Sequence, residues 1–264
     1  MTTLLAAVEY GGEWHVPSVN ELFEFEPFAF EDTLFAFNRV ALLTLFATLV
    51  AFAILAIGLG NPKIVPGKFQ AACEAIVEFI REQIAIQVIG VDGVRWTPLL
   101  LTIFMFVWMN NLLEIIPLIN FPPTSRIAIP AFIALGVYVL YIYQGIKAQG
   151  AGRYFKDSIF PPAAPKALWP LIGPIEFVSN FITRPVTLTV RLFANMMAGH
   201  ILLTLLFITS HAFMVWGRGL PVGLVATAAS PLMIGFEFVV GLLQAYIFTI
   251  LTAVYLSTSL HPDH

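Results

Sequence analysis

Apolar residues in this chain come in unbroken runs rather than in alternation, and the runs are separated by short polar or proline-bearing breaks. The first, "RVALLTLFATLVAFAILAIGLG" from Arg39 to Gly60, matches the roughly 20 residues a helix needs to cross a hydrocarbon core, and it stops at Gly60, Asn61 and Pro62. The next stretch, "FQAACEAIVEFIREQIAIQVIG", differs: Glu74, Glu78 and Arg81 recur at helical spacing on one side, with Ile76, Phe79, Ile80 and Ile84 largely on the other. That pattern predicts an interfacial amphipathic helix rather than a span. Residues 96–119 and 127–146 read as two further spans joined by the turn "NFPPTSR", and 147–167 reads as a hydrophilic loop with Gly and Pro.

Two apolar stretches remain, 169–216 and 221–260, separated by "GRGLP". Each would run about 60 Å as continuous helix against a core of about 30 Å, so each must tilt, bend or break. Pro185 and Pro231 would permit two tight hairpins, but neither stretch has a polar turn in its middle. The pattern therefore predicts an all-α integral membrane protein. Five membrane-crossing helices are joined by one interfacial amphipathic helix, and the last two crossings form a long, strongly tilted antiparallel hairpin.

Composition agrees: 59% of the 264 residues are hydrophobic and 11% are charged, less than half the share usual in soluble domains. A net charge of −3 gives no reason to expect a nucleic-acid partner, and the lone Cys73 permits no internal disulfide. Charge is unevenly placed, since Glu9, Glu13, Glu21, Glu24, Glu26, Glu31 and Asp32 all precede the first Lys or Arg, Arg39. No cleaved targeting sequence is expected. Residues 1–38 read as an acidic segment and 39–264 as one membrane domain. With five crossings, Lys63, Lys68, Lys147, Arg153, Lys156 and Lys166 fall on one side, which puts the N-terminus outside and the C-terminus in the cytoplasm.

Ionisable groups at membrane depth are few and by default functional, because a charge at a helix centre costs about 2.5 to 3.5 kcal/mol even on insertion scales. Glu114 lies beside Asn110 and Asn111; Glu176, Arg184, Arg191, Asn195 and His200 lie along the first long stretch, and Glu237 and Gln244 along the second. Arg184, Thr187, Arg191 and Asn195 follow at steps of three or four and share one stripe, whereas His200 points to the opposite side. In an antiparallel hairpin, residues at equal depth have a constant sum of their numbers. Arg191 with Gln244 gives 435 and His200 with Glu237 gives 437, so two polar pairs fall at matched depths, and the same register sets Glu176 opposite Ser259. Arg191 cannot lose its charge by deprotonation and lies too deep to reach either surface.

"RPVTLTVRLFANMMAGH" followed by "GFEFVVGLLQAYIFTILTAVYLS", with "FVWMNNLLEIIP" upstream, closely resembles the signature of subunit a of the F-type ATP synthase. The resemblance covers most of the chain from about residue 35. It implies a stator subunit that provides two offset proton half-channels to and from carboxylates on a rotating ring, with the hairpin 169–260 forming the ion path. Arg191 would be the arginine facing those carboxylates, with Asn195 and Gln244 as polar neighbours. His200 and Glu237 would relay protons on the outer side with Glu114 beside them, and Glu176 would serve the cytoplasmic side. In some relatives the residues at the His200 and Glu237 positions are exchanged. The implied partners are a ring of proteolipid c subunits, peripheral-stalk b subunits, the rest of the ATP synthase and membrane lipid, with no cofactor and no ATP site in this chain. The implied location is a bacterial inner membrane. The competing reading, a proton-coupled secondary transporter in which Arg191 binds an anionic solute, would call for an internal repeat that the sequence lacks.

Overall fold

The computed structural model describes residue 23 and residues 38–116, 119–160, 168–215 and 219–260. Among them every regular element is helical, and five helices are long and apolar enough to cross a membrane. Apart from Phe23 and Asn38, the acidic segment 1–38 lies outside the described residues.

Helix α1 (Arg39–Leu59) begins where the Asn38 side chain accepts a hydrogen bond from the Ala41 N–H at 3.0 Å, a side-chain N-cap. Inside it the hydroxyls of Thr44 and Thr48 donate to the carbonyls four residues back, so neither leaves a polar atom facing lipid. Val40, Ala47 and Ala51 are buried, while Leu42, Leu45, Phe46 and Leu49 form an outward apolar face.

The amphipathic segment is helix α2 (Lys68–Phe79), continued by a wider π-helical stretch Ile80–Ile89. Ile80, Ile84, Ala85 and Ile89 are buried while Arg81 is exposed, as the pattern predicts. Phe79 instead stays exposed at the seam, because the change from α to π winding rotates the apolar stripe past it.

The run 96–119 gives a shorter helix than expected, α3 (Thr97–Leu112), preceded by a 3₁₀ stretch Val91–Trp96. The helix tightens at its end, with Glu114 N–H bonding to Asn111 O and Ile115 N–H to Leu112 O, each at 3.2 Å and three residues back. Ile116 precedes Pro117, and a residue before proline is disfavoured in helical geometry.

Helix α4 (Ala128–Gln149) ends at Gly150, whose φ of 83° only glycine adopts freely. Of the stretch 147–167 expected to be a loop, 147–149 complete α4 and Ala151–Ile159 form a further helix, α5, a correction to the sequence reading, while 161–167 lie outside the described residues. Its charges mask a one-sided helix: Tyr154 is buried while Arg153 and Lys156 face outward.

The two long stretches are continuous through both prolines. Helix α6 (Trp169–Val178) passes through a π-helical stretch Ser179–Thr183 into α7 (Arg184–Val215), and α8 runs unbroken over Leu220–Leu260. The Arg184 N–H reaches five residues back to Ser179 O, which adds room in the backbone ladder just before Pro185 removes its donor. Around this join the Thr183 hydroxyl donates to Val178 O and the Thr187 hydroxyl to Thr183 O. Hydroxyls that bond nearby carbonyls let a proline sit inside a spanning helix.

The chain divides into two compact units. One comprises residues 1–52, 106–126 and 194–244, the other 53–105, 127–193 and 245–264. In the first, the C-terminal part of α7 lies against the N-terminal part of α8, with the Ser210 and Thr227 hydroxyls 2.5 Å apart and Glu237 against Gly199. Both contacts fit the antiparallel register read from the sequence. In the second, the Arg184 guanidinium sits 5.1 Å above the Tyr255 ring.

In this second unit α4 and α5 meet at Gly145, where a Cβ would run into the Tyr154 ring, whereas a Cβ on Gly136 of the same helix meets nothing within 4 Å. Gly145→Val should therefore destabilise the protein by about 1 to 3 kcal/mol through overpacking. Gly136→Ala should leave the thermal midpoint unchanged or raise it. Midpoints of both variants in the detergent-purified complex check this, and equal midpoints would contradict the packing of α5 on α4.

Candidate functional site

Three of the four residues of the polar stripe expected on α7 share an exposed face, whereas Arg184 is half-buried over the Tyr255 ring. Thr187, Arg191 and Asn195 are exposed, while Leu188, Leu192, Met196 and Leu203 on the other side are buried. Among the described residues no carboxylate pairs with Arg191. His200 lies on the buried side, as its nine-residue offset from Arg191 requires.

In the first unit three ionisable side chains are enclosed: Glu114 is 1% exposed, His200 4% and Glu237 4%. The Glu237 carboxylate packs against Gly199, where any Cβ would collide with it, so the absent side chain is what admits the carboxylate beside α7. Glu114 lies within electrostatic reach of Glu237, and His200 within reach of Arg39. His200 and Glu237 do not hydrogen bond to each other directly. Glu114 Oε1, His200 Nδ1 and Glu237 Oε2 have no hydrogen-bond partner among the described residues.

The same unit holds a bonded amide. Asn111 Nδ2 donates to the Gly241 carbonyl at 3.1 Å, and its Oδ1 accepts from the Thr124 hydroxyl at 2.6 Å. This side chain links α3, the turn after it and α8 in one bonded chain. Asn110 bonds back to Phe106 O at 2.8 Å instead.

The second unit holds a cavity of about 190 Å³ lined by Glu176, Asn180, Arg184, Tyr141, Tyr154 and Ser259 among others. The pairing of Glu176 with Ser259 expected from the hairpin register is thus met, since both line one space. Asn180, one turn beyond Glu176, donates through its side-chain amide to Glu176 Oε2 at 3.2 Å and to Ser158 O at 2.8 Å, and its backbone carbonyl accepts from the Tyr141 hydroxyl at 2.9 Å. Gln149, also in the cavity wall, donates to Ser259 O at 2.8 Å. Burial pushes the Tyr154 hydroxyl above its ordinary value, so it keeps its proton and bonds with Ser158 and Ser259.

Of the residues singled out by sequence, Glu114, His200 and Glu237 come together in one unit, Glu176 lines the cavity of the other, and Arg191 and Asn195 share an exposed face. Gln244 is buried and makes no hydrogen bond to Asn195 among the described residues. Sequence reasoning passed over Asn180, Tyr141, Thr124 and Gly199. Asn180 carried a usable signal, four residues from Glu176 on the same helical face, and Gly199 directly precedes the singled-out histidine.

Comparison with known proteins adds the family. Residues 40–257 match the family described as the ATP synthase A chain. The chain is 45% identical to ATP synthase subunit a of Frankia alni over 86% of its length and 79% of that protein's. It is 38% identical to ATP synthase subunit a of Rhodococcus erythropolis over 100% of this chain and 94% of the other, and 39% identical to that of Streptomyces lividans over 92% and 86%.

Replacing Asn111 by Leu removes both of its bonds and strands the buried Thr124 hydroxyl, while the Gly241 carbonyl keeps its partner within the helix, a loss of about 1 to 3 kcal/mol. Thr124→Val should cost less. In a double-mutant cycle on the thermal midpoint the two losses should fall short of additivity by about 0.5 kcal/mol or more. Strict additivity would mean the two side chains are not bonded.

Proposed function

Because the chain belongs to the ATP synthase subunit a family, we propose that it is the stator half of a rotary proton motor, providing two offset half-channels to and from carboxylates on a rotating ring. Proton flow through it drives ring rotation and, through that, ATP synthesis. It is an integral multi-pass membrane protein that works with the rest of the F-type ATP synthase, where the ATP chemistry takes place. Its nearest partners are the ring of proteolipid c subunits and the peripheral-stalk b subunits. It resides in a bacterial plasma membrane with the N-terminus outside and the C-terminus in the cytoplasm. Residues 39–264 form the membrane domain behind the acidic N-terminal segment.

The observation that carries this reading is the exposed guanidinium of Arg191, which no carboxylate among the described residues pairs, on a face of α7 with Thr187 and Asn195. A ring carboxylate passing this face must ionise to exchange its proton, and ionising against lipid alone is prohibitive. A permanent cation at that point makes the ionised form tolerable. The same group blocks a direct leak, because a guanidinium has no proton it can give up. Protons therefore enter on one side, ride the ring and leave on the other. At about 2.3 kcal/mol per charge per 100 mV, each passage delivers a driven step.

On the outer side Glu114, His200 and Glu237 form the entry path, and the polar atoms they leave uncommitted are free to exchange protons through water. On the cytoplasmic side Glu176 serves the exit, held by Asn180 in a cavity that also holds Arg184. Asn195 and Gln244 provide polar surroundings near Arg191.

Arg191→Lys should abolish ATP synthesis although it retains a positive charge, because a desolvated lysine can lose its proton and offers a point charge instead of a planar fork. Arg191→Ala should also abolish it and open a passive proton leak. Synthesis rates in inverted vesicles decide this, and near-normal rates in either variant would refute the role of Arg191.

His200 and Glu237 should act as a pair. Each single exchange, His200→Glu or Glu237→His, should slow ATP-driven proton pumping, and the double exchange should recover more activity than either, since it keeps one acid and one base in the path. Binding of the catalytic head should persist in all three. A double variant no better than the worse single would show that the two residues do not form a functional pair.

A further inference from the structure

The acidic N-terminal segment has no part in the mechanism above, yet one of its residues touches the proton path. The Phe23 ring lies 5.4 Å from the His200 imidazole at an interplanar angle of 69°, and Phe121 lies 5.4 Å from the same imidazole at 82°. The two phenyl rings are themselves 6.1 Å apart, so the three rings close a triangle. Edge-to-face pairs at such separations are attractive as well as space-filling.

The triangle is anchored at two of its corners. Arg126 donates to the Phe23 carbonyl through Nε at 2.9 Å and through a terminal nitrogen as well, a fork closed over 103 residues of sequence. Arg39 donates to the Ile119 carbonyl at 2.9 Å, two residues before Phe121, which is 2% exposed. The imidazole is differently held. Its Nδ1 has no hydrogen-bond partner among the described residues, and the torsion that turns a histidine ring has a broad minimum. Without a bond at Nδ1, the aromatic edges are what define the plane of the ring.

We propose that Phe23 and Phe121 form an aromatic clamp that fixes the ring plane of His200, with Arg126 as the latch that holds Phe23 against it. Phe23 is then a working part of the outer half-channel. Phe23, Phe121 and Arg126 are positioning residues; they carry no proton themselves. The proposal rests on the reading of His200 as a proton-path residue, and the test separates the two.

The test uses the purified ATP synthase carrying Phe23→Ala, Phe23→Leu or Phe23→Tyr. The rate at which diethyl pyrocarbonate modifies His200 is read by peptide mass spectrometry, beside ATP-driven proton pumping after reconstitution. Loss of one aromatic edge contact should raise the His200 modification rate about 2- to 10-fold, the factor equivalent to about 0.5 to 1.5 kcal/mol. Phe23→Leu, which keeps bulk without the aromatic edge, should behave like Phe23→Ala, and it carries the test if the alanine variant does not assemble. Phe23→Tyr should restore the wild-type rate. Pumping should fall in the Ala and Leu variants and recover in the Tyr variant. An unchanged modification rate in both Phe23→Ala and Phe23→Leu overturns the clamp whatever the pumping shows. A raised rate with pumping intact, in a complex where His200→Ala also pumps normally, upholds the clamp and overturns the proton-path role of His200.

Discussion

A charge that cannot be removed, set on the exposed face of a helix long and apolar enough to cross a membrane, is the constraint from which the rest of this structure follows. Arg191 has no carboxylate among its described neighbours and stands exposed between Thr187 and Asn195, while the opposite side of α7 is packed with Leu188, Leu192 and Met196. A guanidinium in that position is tolerable only if something anionic meets it, and it is useful only if that partner comes and goes. The long helices serve this end. They carry the arginine's face through the membrane without a break, and the backbone irregularities at Ser179–Thr183 and Pro231 are absorbed within helices rather than opened to lipid.

The polar groups that accompany Arg191 fall into two separate sets, one in each compact unit. Glu114, His200 and Glu237 are enclosed in the first, framed by Asn111 and shaped by the missing side chain of Gly199. Glu176, Asn180 and Arg184 border a cavity in the second, with Tyr154 and Gln149 also in its wall. A motor in which protons must take the ring to pass from one side to the other calls for one polar set on each side. Each set uses bonded amides, Asn111 and Asn180, to hold carbonyl or carboxylate oxygens. An amide can fix geometry at depth without adding a charge that would need its own partner.

Much of this was legible in the sequence because hydrophobic length and helical period are nearly sufficient to define spans in a membrane. The stripe of Thr187, Arg191 and Asn195 opposite His200, and the matched positions of Glu176 and Ser259, followed from 3.6 residues per turn and a hairpin register. Features that depend on tertiary contact were not. Helix α5 was hidden because it is short and buries little beyond Tyr154 among charged neighbours, and the early end of α3 because the Asn111 bonds and Pro117 act against an apolar run that otherwise continues. Gly199 reads as an ordinary small residue until the Glu237 carboxylate is seen against it. The meeting of Phe23 with His200 joins positions far apart in the chain, and no local period could announce it.

The central claim, that the exposed face of α7 meets the ring carboxylates, is tested most directly by cysteine cross-linking in the assembled complex. With the native Cys73 replaced by serine, single cysteines at Thr187, Asn195 and Leu192 are each combined with a cysteine one turn from the ring carboxylate and oxidised in membranes. The account predicts disulfides from Thr187→Cys and Asn195→Cys and none from Leu192→Cys, whose side chain lies on the buried side. Cross-linking from Leu192→Cys alone, or from none of the three, would contradict it.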